Sequence, residues 1–345
     1  MTKMWKEIFE QPSVLKNCIK NNSQLISEIV DSLRKRQIYS IIIAARGTSD
    51  HAGVYGKYII ETVLGIPVAL AAPSVFTVYG KKLNMEKSLV IGISQSGKAA
   101  DVLEVIREAN KQGAVTVSIT NFVDSPLAIE ARHHLWCNAG LEESVAATKT
   151  FTSQIMLLAQ LVAKWAQDKA MIMELDNVPE NVEKALEISD IIKEKVQRYR
   201  YMNECFVLSR GINYSIALEG ALKIQETTYV KAKAFATSDF HHGPFAMVEK
   251  DTPVIIYAPY GPSFKDTGEM VEKLKQSQAE LIIVSNSAEL LEKGNCSFII
   301  PAASNDIISP FYNVVIAQMF ACQLSLAKGL DPDKPRGLNK VTITK

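Results

Sequence analysis

The chain is 345 residues long, more than one hydrophobic core usually organises, so two domains of ordinary size are expected. It is 47% hydrophobic and 22% charged with a formal net charge of +1, and Lys and Arg are interspersed with Asp and Glu, which speaks against a nucleic-acid partner. Five scattered cysteines (Cys18, Cys137, Cys205, Cys296, Cys322), none spaced C-x-x-C, read as buried thiols in a reducing compartment, not as disulfides or a zinc site.

The start, Met1-Thr-Lys-Met-Trp-Lys-Glu, has no apolar signal core, and no stretch reads as long enough to span a membrane. A cytoplasmic protein without a membrane partner is expected. Residues 1–35 form a helical segment in which Leu25, Ile26, Ile29, Val30 and Leu33 recur at threes and fours; Gln11-Pro12-Ser13 marks a turn before a short helix. A buried strand follows from Tyr39 to Ala45, broken by Arg46-Gly47-Thr48-Ser49, then a helix from Asp50 to about Leu64. Further strands are expected at Val68–Ala72, Ser88–Ile93 and Ala114–Thr120, with a helix from Asp101 to Gln112. This alternation predicts an α/β fold, a parallel sheet covered by helices on both faces.

A long apolar helix from Ala146 to Asp168 closes this first subdomain, residues 36–170. The polar stretch from Asp168 to Pro179 reads as the crossing point, and Glu180–Arg198 as a charged amphipathic helix. Residues 180–330 then repeat the plan. Cys205–Gly211 mirrors Ile41–Gly47, Gly220 falls where Gly56 does, and Pro253–Gly261 and Glu280–Ser285 echo the strands ending in Gly97 and Ser118. Two tandem three-layer α/β/α subdomains are therefore expected, with a tail from 331 to 345.

Ser94-Gln95-Ser96-Gly97 stands at the junction of a buried strand and a helix. Open helix N–H groups, two hydroxyls and a glycine that lets the backbone approach make an anion cradle; the alternative is a plain turn with Ser96 capping the helix. Gly47-Thr48-Ser49 makes a second hydroxyl turn on the same rim, where ligands sit in open α/β sheets. In the second half, Glu219, Lys223 and Glu226 fall within roughly 40–60° on one helix face. Such a stripe is commonly a solvated ion-pair face, but Ala217, Leu218, Gly220, Ala221 and Leu222 leave little room for exposure, which favours proton transfer. His242, directly before Gly243-Pro244, sits in a constrained turn suited to acid/base work. His133-His134 and His241-His242 lack partners at metal-ligand spacing, so neither a metal nor a cofactor is expected.

These pieces resemble the sugar isomerase (SIS) superfamily, most closely the isomerase half of glucosamine-6-phosphate synthase and the stand-alone type II glucosamine-6-phosphate deaminases. The resemblance spans nearly the whole chain through Arg46-Gly-Thr-Ser49, Ser94-Gln-Ser-Gly97, Val145-Ala-Ala-Thr-Lys149, Ala217-Leu-Glu-Gly-Ala-Leu-Lys223, His242-Gly-Pro244 and Pro335-Arg-Gly-Leu-Asn-Lys340. It implies a phosphosugar substrate held at Gly47, Ser49, Ser94, Gln95, Ser96 and Gly97, with Val145 and Ala147 lining the sugar site. It implies Glu226 as the base moving a proton between C1 and C2, Lys223 assisting and Glu219 supporting. His242 would help open the ring, often from the partner subunit, which implies a homodimer. Lys340 would meet the open-chain carbonyl as the tail closes the site.

Three departures from the synthase pattern bear on the activity. Lys98-Ala99 stands where synthases carry Glu-Thr, Ala147 replaces a serine, and, with the chain starting at Met1-Thr2, no glutaminase half is expected. Together with the wording of Arg46–Ala52 and Glu143–Lys149, they point to a deaminase that turns glucosamine 6-phosphate into fructose 6-phosphate and ammonia. A deglycase acting on a 6-phosphorylated fructosamine and a non-catalytic phosphosugar sensor are the alternatives.

Overall fold

The computed structural model describes residues 1–303, 305–338 and 340. Among them the short β-branched runs form two parallel sheets. The first contains β1 (Ser40–Ala44), β2 (Val68–Leu70), β3 (Ser88–Ile93), β4 (Val115–Thr120) and β5 (His133–Trp136), in the order β2-β1-β3-β4-β5. The second contains β6 (Glu204–Ser209), β7 (Lys231–Ala236), β8 (Pro253–Tyr257), β9 (Glu280–Ser285) and β10 (Cys296–Ile299). Read from one edge its order is β7-β6-β8-β9-β10, the same topology five strands later. The duplication expected from weak sequence echoes is thus present strand for strand.

Both β3 and β4 are buried at every position, as strands covered on two faces must be. The covering helices approach closely at glycines. A Cβ on Gly56, in the helix Thr48–Leu64, would lie 3.1 Å from Leu158; one on Gly220, in the helix Tyr214–Thr228, would lie 2.7 Å from the Tyr257 hydroxyl. The two matched glycines therefore serve the same purpose, helix packing without a side chain.

The chain forms two compact units. One comprises Ser13–Glu142, Lys149–Asn177 and Lys340, and carries the first sheet. The other comprises Met1–Pro12, Glu143–Thr148 and Val178–Leu338, and carries the second. Of the expected tail, Asn339 and residues 341–345 lie outside the described residues.

Several elements differ from expectation. Gln11-Pro12-Ser13 is no turn but the start of a 24-residue helix, Gln11–Arg34, with Pro12 in the first turn where a missing N–H breaks no hydrogen bond. The polar stretch before Pro179 is helical, Lys169–Leu186, because Met171, Leu175, Val178 and Val182 line up on one buried stripe. Helix Ser189–Lys195 and a 3-10 turn, Val196–Tyr199, replace the single helix expected to Arg198. Helix Ser309–Ala327 is long and apolar enough to cross a membrane, contrary to the sequence reading, but 89% of that window is buried inside the protein. It is a core helix. All five cysteines are free and buried.

At the end of β8, Gly261 adopts φ +158° and leaves its Cβ position to Asp306, whose Oδ1 would sit 2.3 Å from that atom. Asp306 is 8% exposed, its Oδ1 has no hydrogen-bond partner among the described residues, and Ser263 approaches Oδ2 at 3.5 Å. Burial raises its carboxyl from 3.8 to about 6, against the opposing pull of the Ser263 hydrogen bond. The native state therefore favours the protonated acid. The associated stability is complete below the unfolded value and is lost as pH rises through about 6. Asp306→Asn should leave stability unchanged near pH 4 and raise it by about 2–3 kcal/mol at pH 8, as read by urea denaturation at both pH values.

Candidate active site

In the first sheet the chain adds β2 to one side of β1 and then β3 to the other. The crevice beyond the carboxyl ends of β1 and β3 is the switch point, where a doubly wound sheet presents its ligand site. Both hydroxyl turns are here. Gly47, at φ +55°, precedes the helix Thr48–Leu64, which has no side-chain cap. Buried Ser49 accepts a hydrogen bond on Oγ from Gln154 Nε2 at 3.0 Å. Ser94 Oγ accepts the Gly97 N–H at 3.1 Å and Ser96 Oγ accepts the Lys98 N–H at 3.3 Å. These bonds use hydroxyl lone pairs and leave the O–H protons to donate elsewhere.

The helix Ala100–Lys111 starts behind Ala99 with no side-chain cap hydrogen bond. Ser96 is therefore not its cap, and the dipole end faces the turn. Gly97 has φ +64°, and a Cβ there would lie 2.1 Å from Ser125 Oγ. Only glycine fits.

Beside this turn is a cavity of about 270 Å³ whose wall includes Gln95, Ser96, Lys98, Phe122, Glu142 and Lys340. Ser49, Ser94, Gly47 and Gly97 are not on that wall. Lys340 Nζ lies 2.8 Å from Glu142 Oε2. Glu142 is fully buried and also accepts the Thr150 N–H at 3.1 Å and its hydroxyl at 2.8 Å, so its charge is well supported. Glu142 escaped the sequence reading; an acid just before Val145–Lys149 was its only signal.

The second unit holds the acid/base stripe on the helix Tyr214–Thr228. Lys223 is fully buried, with Glu219 Oε1 at 3.3 Å and Glu226 Oε2 at 2.6 Å. Burial alone would lower the Lys223 pKa, but the two carboxylates outweigh it and hold the ammonium above its usual range. Glu219 is buried and Glu226 keeps 22% of its side chain exposed, so the row runs from the core to an accessible carboxylate. A solvated ion-pair face is not what forms here.

Polar clasps fix this helix. Asn213 donates to Ser309 Oγ and Asn313 to Asn213 Oδ1, each at 2.8 Å, and Ser325 Oγ donates to the Thr227 carbonyl at 2.8 Å. His242 is exposed at the end of the short helix Thr237–His241, and Phe240 packs edge-on against Phe245 beneath its turn. No hydrogen bond joins His242 to Glu226 among the described residues. Val145 and Ala147 are half-buried in an irregular segment held by Glu7, which accepts the Ser144 N–H at 3.2 Å and also its hydroxyl. Glu7 likewise escaped the sequence reading. Among the described residues no group of three or more His, Cys, Asp or Glu side chains is placed to hold a metal ion.

Removing the central cation leaves Glu219 buried without it. Lys223→Met should destabilise the chain by about 3–5 kcal/mol in denaturant titration, and adding Glu219→Leu should restore most of that loss. Gly97→Ala should cost about 1–3 kcal/mol through backbone strain and the clash with Ser125.

The comparisons with known proteins agree with the duplicated fold. The SIS domain family matches at residues 33–164 and 200–328, one stretch for each sheet. The glutamine–fructose-6-phosphate aminotransferase (isomerizing) of Methanothermobacter thermautotrophicus is 38% identical over 343 residues, covering 99% of this chain and 57% of its own. The chain thus spans little more than half the length of that relative. Among solved structures, the C-terminal domain of the Francisella tularensis glucosamine-fructose-6-phosphate aminotransferase superposes with TM-score 0.87 at 28% identity, covering 97% of this chain and 98% of its own. Glucosamine-6-phosphate deaminase from Thermotoga maritima superposes with TM-score 0.81 at 25% identity, covering 99% and 100%. With two copies of one parallel α/β unit and a family match that spans both, the chain belongs to the SIS-domain family.

Proposed function

We propose that the chain is a phosphosugar isomerase of the deaminating kind, converting glucosamine 6-phosphate and water into fructose 6-phosphate and ammonia. The observation that carries this reading is the Glu219–Lys223–Glu226 row. A buried ammonium 2.6 Å from Glu226 holds that carboxylate in place, while its exposed edge faces outward to meet a C–H bond. A carboxylate so held suits abstraction of a proton next to a carbonyl.

In this reading the switch-point turns, with Ser49, Ser94, Gln95 and Ser96, take the phosphate, and Lys98 adds a positive charge at the rim. His242 assists ring opening, which yields an aldehyde at C1 beside the amine-bearing C2. Glu226 removes the C2 proton to give an enolamine and returns it to C1, leaving a C2 imine. Water adds to that imine and ammonia departs, producing the ketose. Lys340, paired with Glu142, offers an N–H to the carbonyl oxygen where charge develops. Val145 and Ala147 border the sugar. The likeness to the Thermotoga maritima deaminase and the Lys98-Ala99 departure from the synthase pattern support deamination over synthesis.

Ammonia release from glucosamine 6-phosphate should be measurable with the purified chain and fall by about a thousandfold in Glu226→Gln, within the range for losing a general base. Equal release by both proteins would sink the assignment. Turnover of fructosamine 6-phosphates without turnover of glucosamine 6-phosphate would move it to the deglycase reaction. The same reading places His242 in the partner subunit's site of a homodimer; a monomer at the assay concentration in sedimentation would remove that part.

A further inference from the structure

The arginine just beyond the first strand of each repeat, one or two residues past its end, reaches an aspartate in the first turn of the helix that follows the third strand. In the first copy Arg46 Nε donates to Asp101 Oδ2 at 2.7 Å; in the second Arg210 Nε donates to Asp266 Oδ2 at 3.2 Å. Each pair therefore bridges the switch point of its own sheet. Duplication has preserved the bridge, but the two versions differ in burial. Asp101 keeps 3% of its side chain exposed, whereas Asp266 keeps 57%.

The first bridge joins the segments that carry both hydroxyl turns. The Arg46 carbonyl accepts the Ser49 N–H at 3.1 Å, so the backbone of Arg46 belongs to the Ser49 turn. Asp101 is the second residue of the helix that leaves the Ser94–Gly97 turn, and its Oδ1 accepts the Val102 N–H at 2.9 Å. A charge-assisted bond with one buried end is strong and directional, and it fixes the distance between the two loops it ties. An anion that takes donors from both loops binds best when that distance is set before it arrives.

We propose that Arg46 is a positioning residue which, through Asp101, holds the Ser49 and Ser94–Gly97 turns at the spacing that a phosphate group requires. This rests on the reading that those turns bind phosphate. The second pair, Arg210–Asp266, spans a rim without the hydroxyl turns and is the internal control.

The test is calorimetric titration of the full chain and its variants with inorganic phosphate, followed by steady-state kinetics on glucosamine 6-phosphate. Arg46→Ala should weaken phosphate binding by about tenfold, the scale for losing a hydrogen bond to a charged group. Arg46→Lys should recover part of the loss, and Asp101→Asn should weaken binding to a similar degree. Arg46→Ala combined with Asp101→Asn should be no worse than either alone, because both changes remove one bond. KM should rise with kcat little changed, and Arg210→Ala should bind phosphate like the parent chain. If Ser96→Ala weakens phosphate binding while folded Arg46→Lys, Arg46→Ala and Asp101→Asn all bind like the parent, the positioning role is wrong and the phosphate site stands. If Ser94→Ala and Ser96→Ala bind phosphate like the parent, the phosphate reading fails and the proposal goes with it. An equal loss in Arg210→Ala would also overturn it, since the effect would then belong to general stability.

Discussion

The reversal of strand order between β1 and β3 is the constraint on which the first unit depends. A parallel sheet cannot return by a tight hairpin, so each strand must be followed by a crossover that covers one face. When the chain adds β2 to one side of β1 and β3 to the other, two crossovers leave in opposite directions and open a crevice at the strand ends. The Gly47 and Ser94–Gly97 turns are at this crevice because of that order, with their helix N-termini beside it. The hydroxyls supply donors and the helices supply field; the topology supplies the place.

Duplication reproduces the topology but not the chemistry. The second sheet has the same order and the same packing glycine in its first helix, yet its β8 end carries Gly261 closed against the Asp306 carboxyl. What the second unit contributes instead is a charge row along the Tyr214–Thr228 helix. Burying an ammonium is costly unless partners offset its lost hydration, and Glu219 and Glu226 do so from both sides. The row thus has two buried members, Glu219 and Lys223, and one, Glu226, that reaches the surface. A geometry of that kind is hard to justify by stability alone, since apolar residues of similar volume would pack at least as well.

Much of this was legible in the chain. The strands β1, β3, β4, β6, β8 and β9 are short apolar runs, mostly β-branched, bounded by turn residues, and Glu219, Lys223 and Glu226 follow from helical spacing. The outer strands β5, β7 and β10 are not, because an edge strand needs no continuous apolar run; Lys231-Ala-Lys-Ala-Phe-Ala alternates instead. The helix around Pro179 was hidden by its polar composition, since the apolar stripe that stabilises it occupies only one position in three or four.

The fold class, the duplication, the two hydroxyl turns and the Glu219–Lys223–Glu226 row can be read from the chain alone, because each is written in local period, turn chemistry or spacing. Which of these groups are buried, and what they touch, is fixed by the folded chain. It places Glu142 beneath Lys340, Glu7 beneath Ser144 and Asp101 beside Arg46, across separations of 198, 137 and 55 residues. No local pattern encodes such pairs. They exist because the folded chain brings together donors and acceptors that, once taken out of water, must satisfy one another.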